Sequence, residues 1–202
     1  MEDTYKTIAS PTEGLFKDKG SKFIAYAYPV YSEDEIKEHI QHLKKEHYSA
    51  RHHCYAWRLG ADKKRFRAND DGEPSSTAGK PILGQIQSYD LTNILIVVVR
   101  YFGGTLLGVS GLINAYKNGA IEAIENAEII EKIVEDIYQI EYEYLNMNDV
   151  MHIIKEEKLE QIETVFDLHC SIKIPIRQTE VERITKKFND IIGVKTQYVA
   201  TR

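Results

Sequence analysis

"NILIVVVRYFGGTLLGVSGLINAY", residues 93–116, decides the fold. Ile94 to Val99 are uninterrupted apolar and mostly β-branched residues, which reads as a strand buried on both faces. The run stops at Arg100, then two aromatics, then the pair Gly103–Gly104. Glycine admits positive φ and lets backbone amides come close to a neighbour. Ser110 then reads as the cap of a long helix, with Leu112, Ile113, Tyr116, Ala120, Ile124 and Ala127 on its apolar side. A doubly buried strand that turns through glycine into a helix is the middle of an α+β module.

Upstream, "KFIAYAYPV" (22–30) reads as a strand ended by Pro29. Ser32 caps "EDEIKEHIQHLKKEH", where Ile36, Ile40 and Leu43 share one helical face. "CYAWRLG" and "KKRFRAND" form a hairpin through "GAD". The turn-rich loop "DDGEPSSTAGKP" follows, and Ile82, Leu83, Ile86 and Tyr89 mark a short helix. Downstream of Lys132 the pattern restarts. "KIVEDIYQIEYEY" alternates, "NMNDVMHIIKEEK" is helical, and "IETVFDL" and "CSIKIPI" are strands. A helix "QTEVERITKKFNDII" and a strand "VKTQYVA" close the chain. That order, β-α-β-β-α-β, is the ferredoxin-like plan. Two domains are therefore expected, 1–132 and 133–202.

Composition narrows the class. The 202 residues carry a formal charge of -5, with 43% hydrophobic and 28% charged residues, as in an ordinary globular protein. No global attraction to nucleic acid exists, so any phosphate binding needs a local patch. Residues 1–132 hold 17 basic against 18 acidic groups, and residues 133–202 hold 9 against 13. Basic residues gather at Arg51, Arg58, Lys63, Lys64, Arg65 and Arg67. Cys54 and Cys170 form no CxxC pair and complete no zinc spacing, which suits a reduced cytoplasmic setting. "MEDTYKTIAS" is not a signal peptide, and no apolar run is long enough for a membrane.

Three stretches carry candidate chemistry. In the first, Arg100 and the amides of Gly103 and Gly104, ahead of a helix N-terminus, suit an anion. The alternative is a tight turn with Arg100 paired to Asp70 or Asp71. Gly103 to Gly108 has the P-loop glycine spacing, but Val109 and Ser110 stand where Lys and Ser/Thr are required. In the second, Asp70, Asp71 and Glu73 offer carboxylates for a cation or a base, though not at calcium-loop spacing. Thr77, Gly79 and Lys80, with Ser75 and Ser76, suit a phosphate at the next helix start. The alternative is a structural loop whose carboxylates cap turns. In the third, Arg51 and His52 suit phosphate or RNA, with Arg65 nearby in the hairpin. His52 and Cys54 share a strand face and permit a nucleophile pair, against the alternative of a buried thiol. Tyr55 and Trp57 suit base stacking or a packed core. His39 and His42 stand near metal spacing, against the alternative of a solvated helix face. No catalytic residue, metal or cofactor is assigned.

"ARHHCYAW", "ANDDGEPSSTAGKPIL" and "VVVRYFGGTLLGVSGLINAY", in that order, resemble the blocks of the Impact/YigZ family. The family pattern falls on Arg51, His52, Asp70, Asp71, Gly72 and Glu73, on Pro74, Thr77 and Gly79, and on Arg100, Gly103, Gly104 and Gly108. The resemblance implies that the first domain takes the fold of the second domain of a small-subunit ribosomal protein, a four-stranded sheet with two helices on one face. The tail resembles the extra C-terminal domain of bacterial members. Elongation factor G joins similar domains, which invites a ribosome or RNA partner. Eukaryotic members restrain a translation-regulating kinase by competing for its activator protein, and they carry a further N-terminal domain that this sequence lacks. The resulting expectation is a non-catalytic polyanion-binding protein, for RNA, ribosome or nucleotide, associated with translation. A protein-interaction adaptor and a phosphate-handling enzyme built on Asp70, Asp71, Glu73 and Arg100 are the alternatives. Oligomeric state is not legible.

Overall fold

The computed structural model describes residues 3–167 and 169–202. The first two residues of the polar N-terminus and Leu168, the last residue of the expected strand 162–168, lie outside the described residues. Packing divides the chain into Tyr5–Lys132 and a second unit, Ile133–Arg202 with the N-terminal residues up to Thr4. The architecture is α+β with antiparallel sheets.

The first unit runs β1 (Thr4–Ile8), β2 (Thr12–Asp18), β3 (Ser21–Pro29), α1 (Glu33–Glu46), β4 (His52–Leu59), β5 (Arg65–Asn69), α2 (Gly79–Ser88), β6 (Ile94–Tyr101), α3 (Gly108–Glu125) and β7 (Ile129–Ile133). Its main sheet has the order β2-β3-β6-β4-β5, every neighbour antiparallel. β6 is central, and Ile94 to Arg100 are all buried. Its residues divide between two cores. Ile94, Ile96 and Val98 pack beneath α2 and α3, while Leu95, Val97 and Val99 pack beneath α1. A strand covered on both faces has no reason to alternate, which explains its unbroken apolar run.

Several expectations need correction here. The sheet has five strands rather than four, because β2 ("TEGLFKD") joins the edge, and α1 covers the face opposite α2 and α3. β1 and β7 form a separate two-stranded ladder. β2 is mostly polar and the ladder strands have five residues each, so periodicity gave little sign of them. The long helix begins at Gly108 rather than after Ser110: Gly108, at φ +72, turns the chain into it just after buried Leu107. Ile113 is 39% exposed, and the buried side of α3 carries small residues instead, Ala115, Gly119, Ala120 and Ala123. Small residues let the helix sit directly on the sheet. A Cβ on Gly14 of β2 would lie 2.4 Å from the Ala123 nitrogen. α1 starts as expected, with Ser32 Oγ accepting from the Glu35 amide at 3.2 Å.

The second unit runs β8 (Glu135–Glu143), α4 (Met147–Glu156), β9 (Glu163–Val165), β10 (His169–Arg177), α5 (Val181–Asn189) and β11 (Lys195–Thr201). Its sheet order is β11-β8-β10-β9, all antiparallel. Here the strands do alternate. Ile140, Tyr142, Cys170, Ile172, Ile174 and Ile176 face a core shared with Val150, Ile153, Ile154, Ile184 and Phe188 of the helices. The apolar pattern that restarts near Lys132 spans two strands, since β7 ends at Ile133 and β8 begins at Glu135.

Candidate functional site

Arg100 closes the buried stretch of β6 and is only 8% exposed. An unpaired guanidinium there would be strongly unfavourable. Its Nη1 donates to Glu73 Oε1 at 2.6 Å, and the Tyr116 hydroxyl donates to the same oxygen at 2.6 Å. The partner is thus Glu73, not Asp70 or Asp71. Gly72 at φ +87 and the Glu73 amide bonded to the Asp70 carbonyl fold the loop so that Glu73 points inward. The Cys54 thiol lies 3.3 Å from the Tyr116 hydroxyl and 3.0 Å from the Asp70 carbonyl. Burial pushes both the Cys54 thiol and the Tyr116 hydroxyl far above their usual range. Cys54 therefore stays a protonated core thiol. His52 turns instead to the Asp71 carbonyl, donating from Nδ1 at 2.9 Å.

The other loop carboxylates are also engaged within the fold. Asp70 accepts from the amides of Ala78 and Gly79 on Oδ1 (3.1 and 2.8 Å) and of Ser76 on Oδ2 (2.8 Å). That caps α2 with a carboxylate, which suits the positive end of the helix dipole. Thr77 Oγ1 donates to the Pro74 carbonyl, and Gly79 lies so close to the Asn69 backbone that a Cβ would meet it at 2.5 Å. Thr77 and the Gly79 amide are thus turned inward, while Lys80 is exposed. Asp71 accepts from the His53 amide at 2.7 Å and lies 3.4 Å from Lys44 Nζ. Arg65 reaches Glu33 on the surface at 2.7 Å. Asp70, Asp71 and Glu73 point to three different partners rather than to one centre.

The histidines and the aromatic pair also have fold partners. His39 stacks on Tyr28, His42 lies 3.4 Å from Glu46, and His47 bridges the Tyr26 and Tyr101 hydroxyls at 2.8 Å each. Trp57 and Tyr55 pack in the core beneath α1. Among the described residues, no three metal-ligating side chains converge, and no helix is long and apolar enough to cross a membrane.

The glycine lip divides into a fixed half and an open half. The Gly103 amide donates to Ser21 Oγ at 3.1 Å, and a Cβ there would fall 1.9 Å from the Gly20 carbonyl carbon. This pins the end of β6 against the β2–β3 turn. Gly104 (φ +91) and Gly108 (φ +72) face open space. Between and around them Phe102, Leu106 and Val109 are exposed at 57%, 83% and 59%. No acidic residue occurs between Phe102 and Ile121.

Sequence reading singled out Arg51 but overlooked the lysines on the basic side of this lip. Lys17 stands directly opposite Lys22 across β2 and β3, and Lys22 stands opposite Tyr101 of β6. Like charges so placed are destabilising. Lys19 sits at the turn between them, and Arg51 lies one step beyond the His52–Arg100 pair. All four are exposed, and none has an acidic ion-pair partner among the described residues. The signal that was present is Lys19–Gly20. Their φ values of 44° and 81° match a two-residue I′ hairpin, which is usually flagged by Asn-Gly or Asp-Gly.

Residues 19–124 match the family model described as the Impact N-terminal domain. The chain is 31% identical over 190 residues to the IMPACT family member YvyE of Bacillus subtilis, covering 94% of this chain and 86% of that protein. A crystal structure of a hypothetical protein superposes with a TM-score of 0.78 at 27% identity, covering 99% of both chains. The two-domain translational regulator Yih1 is 26% identical over 63% of this chain and 48% of its own, with a TM-score of 0.37.

Proposed function

The chain belongs to the Impact family, and from that premise we propose that it is a non-catalytic module that holds a polyanion, single-stranded RNA, across the end of its first sheet. One observation carries the reading: the cross-strand pair Lys17–Lys22, with Lys19 at its turn and Arg51 one step beyond His52, at the end of the sheet where exposed Phe102 follows Tyr101, the residue opposite Lys22. Charges with no internal partner set against an aromatic suit a phosphate backbone with stacked bases. Arg100 then acts indirectly. Its charge is met by Glu73, and its guanidinium lies 5.7 Å from the Phe102 ring, supporting that aromatic from below. The loop carboxylates are spent on caps and pairs, which favours binding over a reaction that needs a free base.

The accompanying fold reading takes the first unit as ribosomal-protein second-domain-like and the second as ferredoxin-like. The order β11-β8-β10-β9 around two helices supports the latter.

Fluorescence anisotropy of a labelled poly(U) oligomer with the full chain, over a series of KCl concentrations, tests the function. The binding constant is expected to fall steeply with salt. The variant Lys17→Ala/Lys22→Ala/Arg51→Ala is expected to lower the log–log slope by roughly 2. A salt-insensitive constant, or an unchanged slope in that variant, ends the reading. Isolated ribosomes serve as the second probe and test an association with translation.

A further inference from the structure

Three large apolar side chains stand almost free of the second unit. Tyr144, Leu145 and Ile192 are exposed at 70%, 88% and 94%. They belong to two connections, the 3-10 turn Tyr144–Asn146 after β8 and the turn that follows α5. The antiparallel pairing of β11 with β8, with Lys195 opposite Glu141, brings those connections to one end of the sheet. Asn146 fastens them together: its Nδ2 donates to the Ile192 carbonyl at 3.0 Å. Gly193, at φ +89, completes the fit, since a Cβ there would meet Asn146 Oδ1 at 3.5 Å.

A single exposed leucine needs no explanation, but a contiguous apolar group does. These side chains are presented on loops that brace each other, so little further ordering is lost when a partner covers them. The charges around them are mostly acidic. Glu141, Glu143, Asp149 and Asp190 are exposed. Lys195 faces Glu141, and Lys186 pairs with Asp190 at 2.8 Å. His169 stands opposite Glu143. Glu143 and Asp149 have no ion-pair partner among the described residues. An acidic rim repels nucleic acid and anionic lipid, and it complements a basic surface.

We propose that Tyr144, Leu145 and Ile192 form a docking knuckle for a basic, apolar segment of a partner protein, oriented by Glu143 and Asp149. The knuckle lies on the other unit from the RNA-facing lip and has the opposite charge, so the failure of one assignment leaves the other standing.

The test follows amide and methyl NMR signals of the full chain during three titrations. The probes are an amphipathic Leu/Lys peptide of about 18 residues, its Leu/Glu counterpart, and phosphatidylcholine vesicles. Saturable shifts confined to residues 143–149 and 190–194 are expected with the Leu/Lys peptide alone. Leu145→Ser/Ile192→Ser is expected to weaken that binding by about tenfold or more. Glu143→Gln/Asp149→Asn is expected to weaken it less, and to a degree that falls with salt. All four residues are surface groups, and unshifted core methyls in each variant verify its fold. Equal binding of the Leu/Glu peptide overturns the proposal, as do recruitment to vesicles, shifts elsewhere, or unchanged affinity in the Leu145/Ile192 variant.

Discussion

Both units depend on arginine–carboxylate pairs, and the two kinds of pair behave as different materials. In the first unit Arg100 and Glu73 are buried together, with side-chain exposures of 8% and 3%. Tyr116 and Cys54 complete the cluster. In the second unit Arg183 is 51% exposed and shares Glu157 with Lys187. A buried pair is weak evidence of net stabilisation, but removing one member leaves a stranded charge. An exposed pair is screened and replaceable. Glu73 and Arg100, which mark the family in sequence, thus lock the first unit internally, and its exposed side chains, Arg51 among them, are what remain for contact.

The largest expected effect follows directly. Glu73→Gln leaves the Arg100 guanidinium without its counter-charge and is expected to destabilise the first unit by about 3–5 kcal/mol. Trp57 is the chain's one tryptophan, and it is buried in that unit, so its fluorescence during urea denaturation reports the loss. Arg100→Met/Glu73→Leu is expected to recover most of it. A cost below about 1 kcal/mol for Glu73→Gln would equate the buried pair with a surface one.

Next comes Gly103→Ala. The added Cβ meets backbone of the β2–β3 turn, not the movable end of a side chain. Overpacking of this kind costs about 1–3 kcal/mol. Gly104→Ala has open space but a φ of +91°, so it carries backbone strain without the collision. RNA binding separates the two further. Gly103→Ala should displace the Lys19 turn and weaken poly(U) binding, whereas weakening by Gly104→Ala alone would move the contact to the outer half of the lip.

How far the sequence revealed this depends on which residues supply the signal. β6 was legible because burial on both faces leaves an unbroken apolar run, and the second unit because its strands alternate. β2 was not, since an edge strand reading "TEGLFKD" has too few apolar residues to show a period. At the site, Arg100 and the loop carboxylates were visible as residues but not as partners. Asp70 is taken by the amides at the start of α2 and Asp71 by the His53 amide of β4, leaving the longer Glu73 side chain to reach inward. The lysine pair was hidden altogether, because Lys17 and Lys22 become neighbours only once the hairpin register is set.

On the exposed side of the comparison, Arg183→Ala is expected to cost less than about 1 kcal/mol. Lys187 stays 2.5 Å from Glu157 and retains part of the attraction. The cost should shrink further in high salt, measured by urea denaturation followed through far-ultraviolet circular dichroism. A loss as large as that of Glu73→Gln would erase the distinction between the two kinds of pair.

The smallest effect is a difference in acid tolerance. His53 is buried, and desolvation lowers its pKa below the usual 6.5 despite the pull of Asp71 at 3.8 Å, with Lys44 opposing its charge. Below pH 6.5 the unfolded chain therefore takes up a proton that the folded first unit resists, and stability falls with pH. His39 is shifted the same way for the same reason. In the second unit the sign is set by carboxylates. Arg183 and Lys187 hold Glu157 at about 2, against an ordinary 4.5, and Arg177 and Thr179 hold Asp3 far below its own range. Their contribution is complete above about pH 4.5 and fades only as the pH drops toward the folded values. Hydrogen exchange, corrected for its intrinsic pH dependence, should show the first unit losing protection between pH 6.5 and 5 while the second holds. His53→Phe should flatten that loss. If the second unit loosens first, surface carboxylates rather than the buried imidazole govern the acid response, and the contrast between the units fails at its most delicate point.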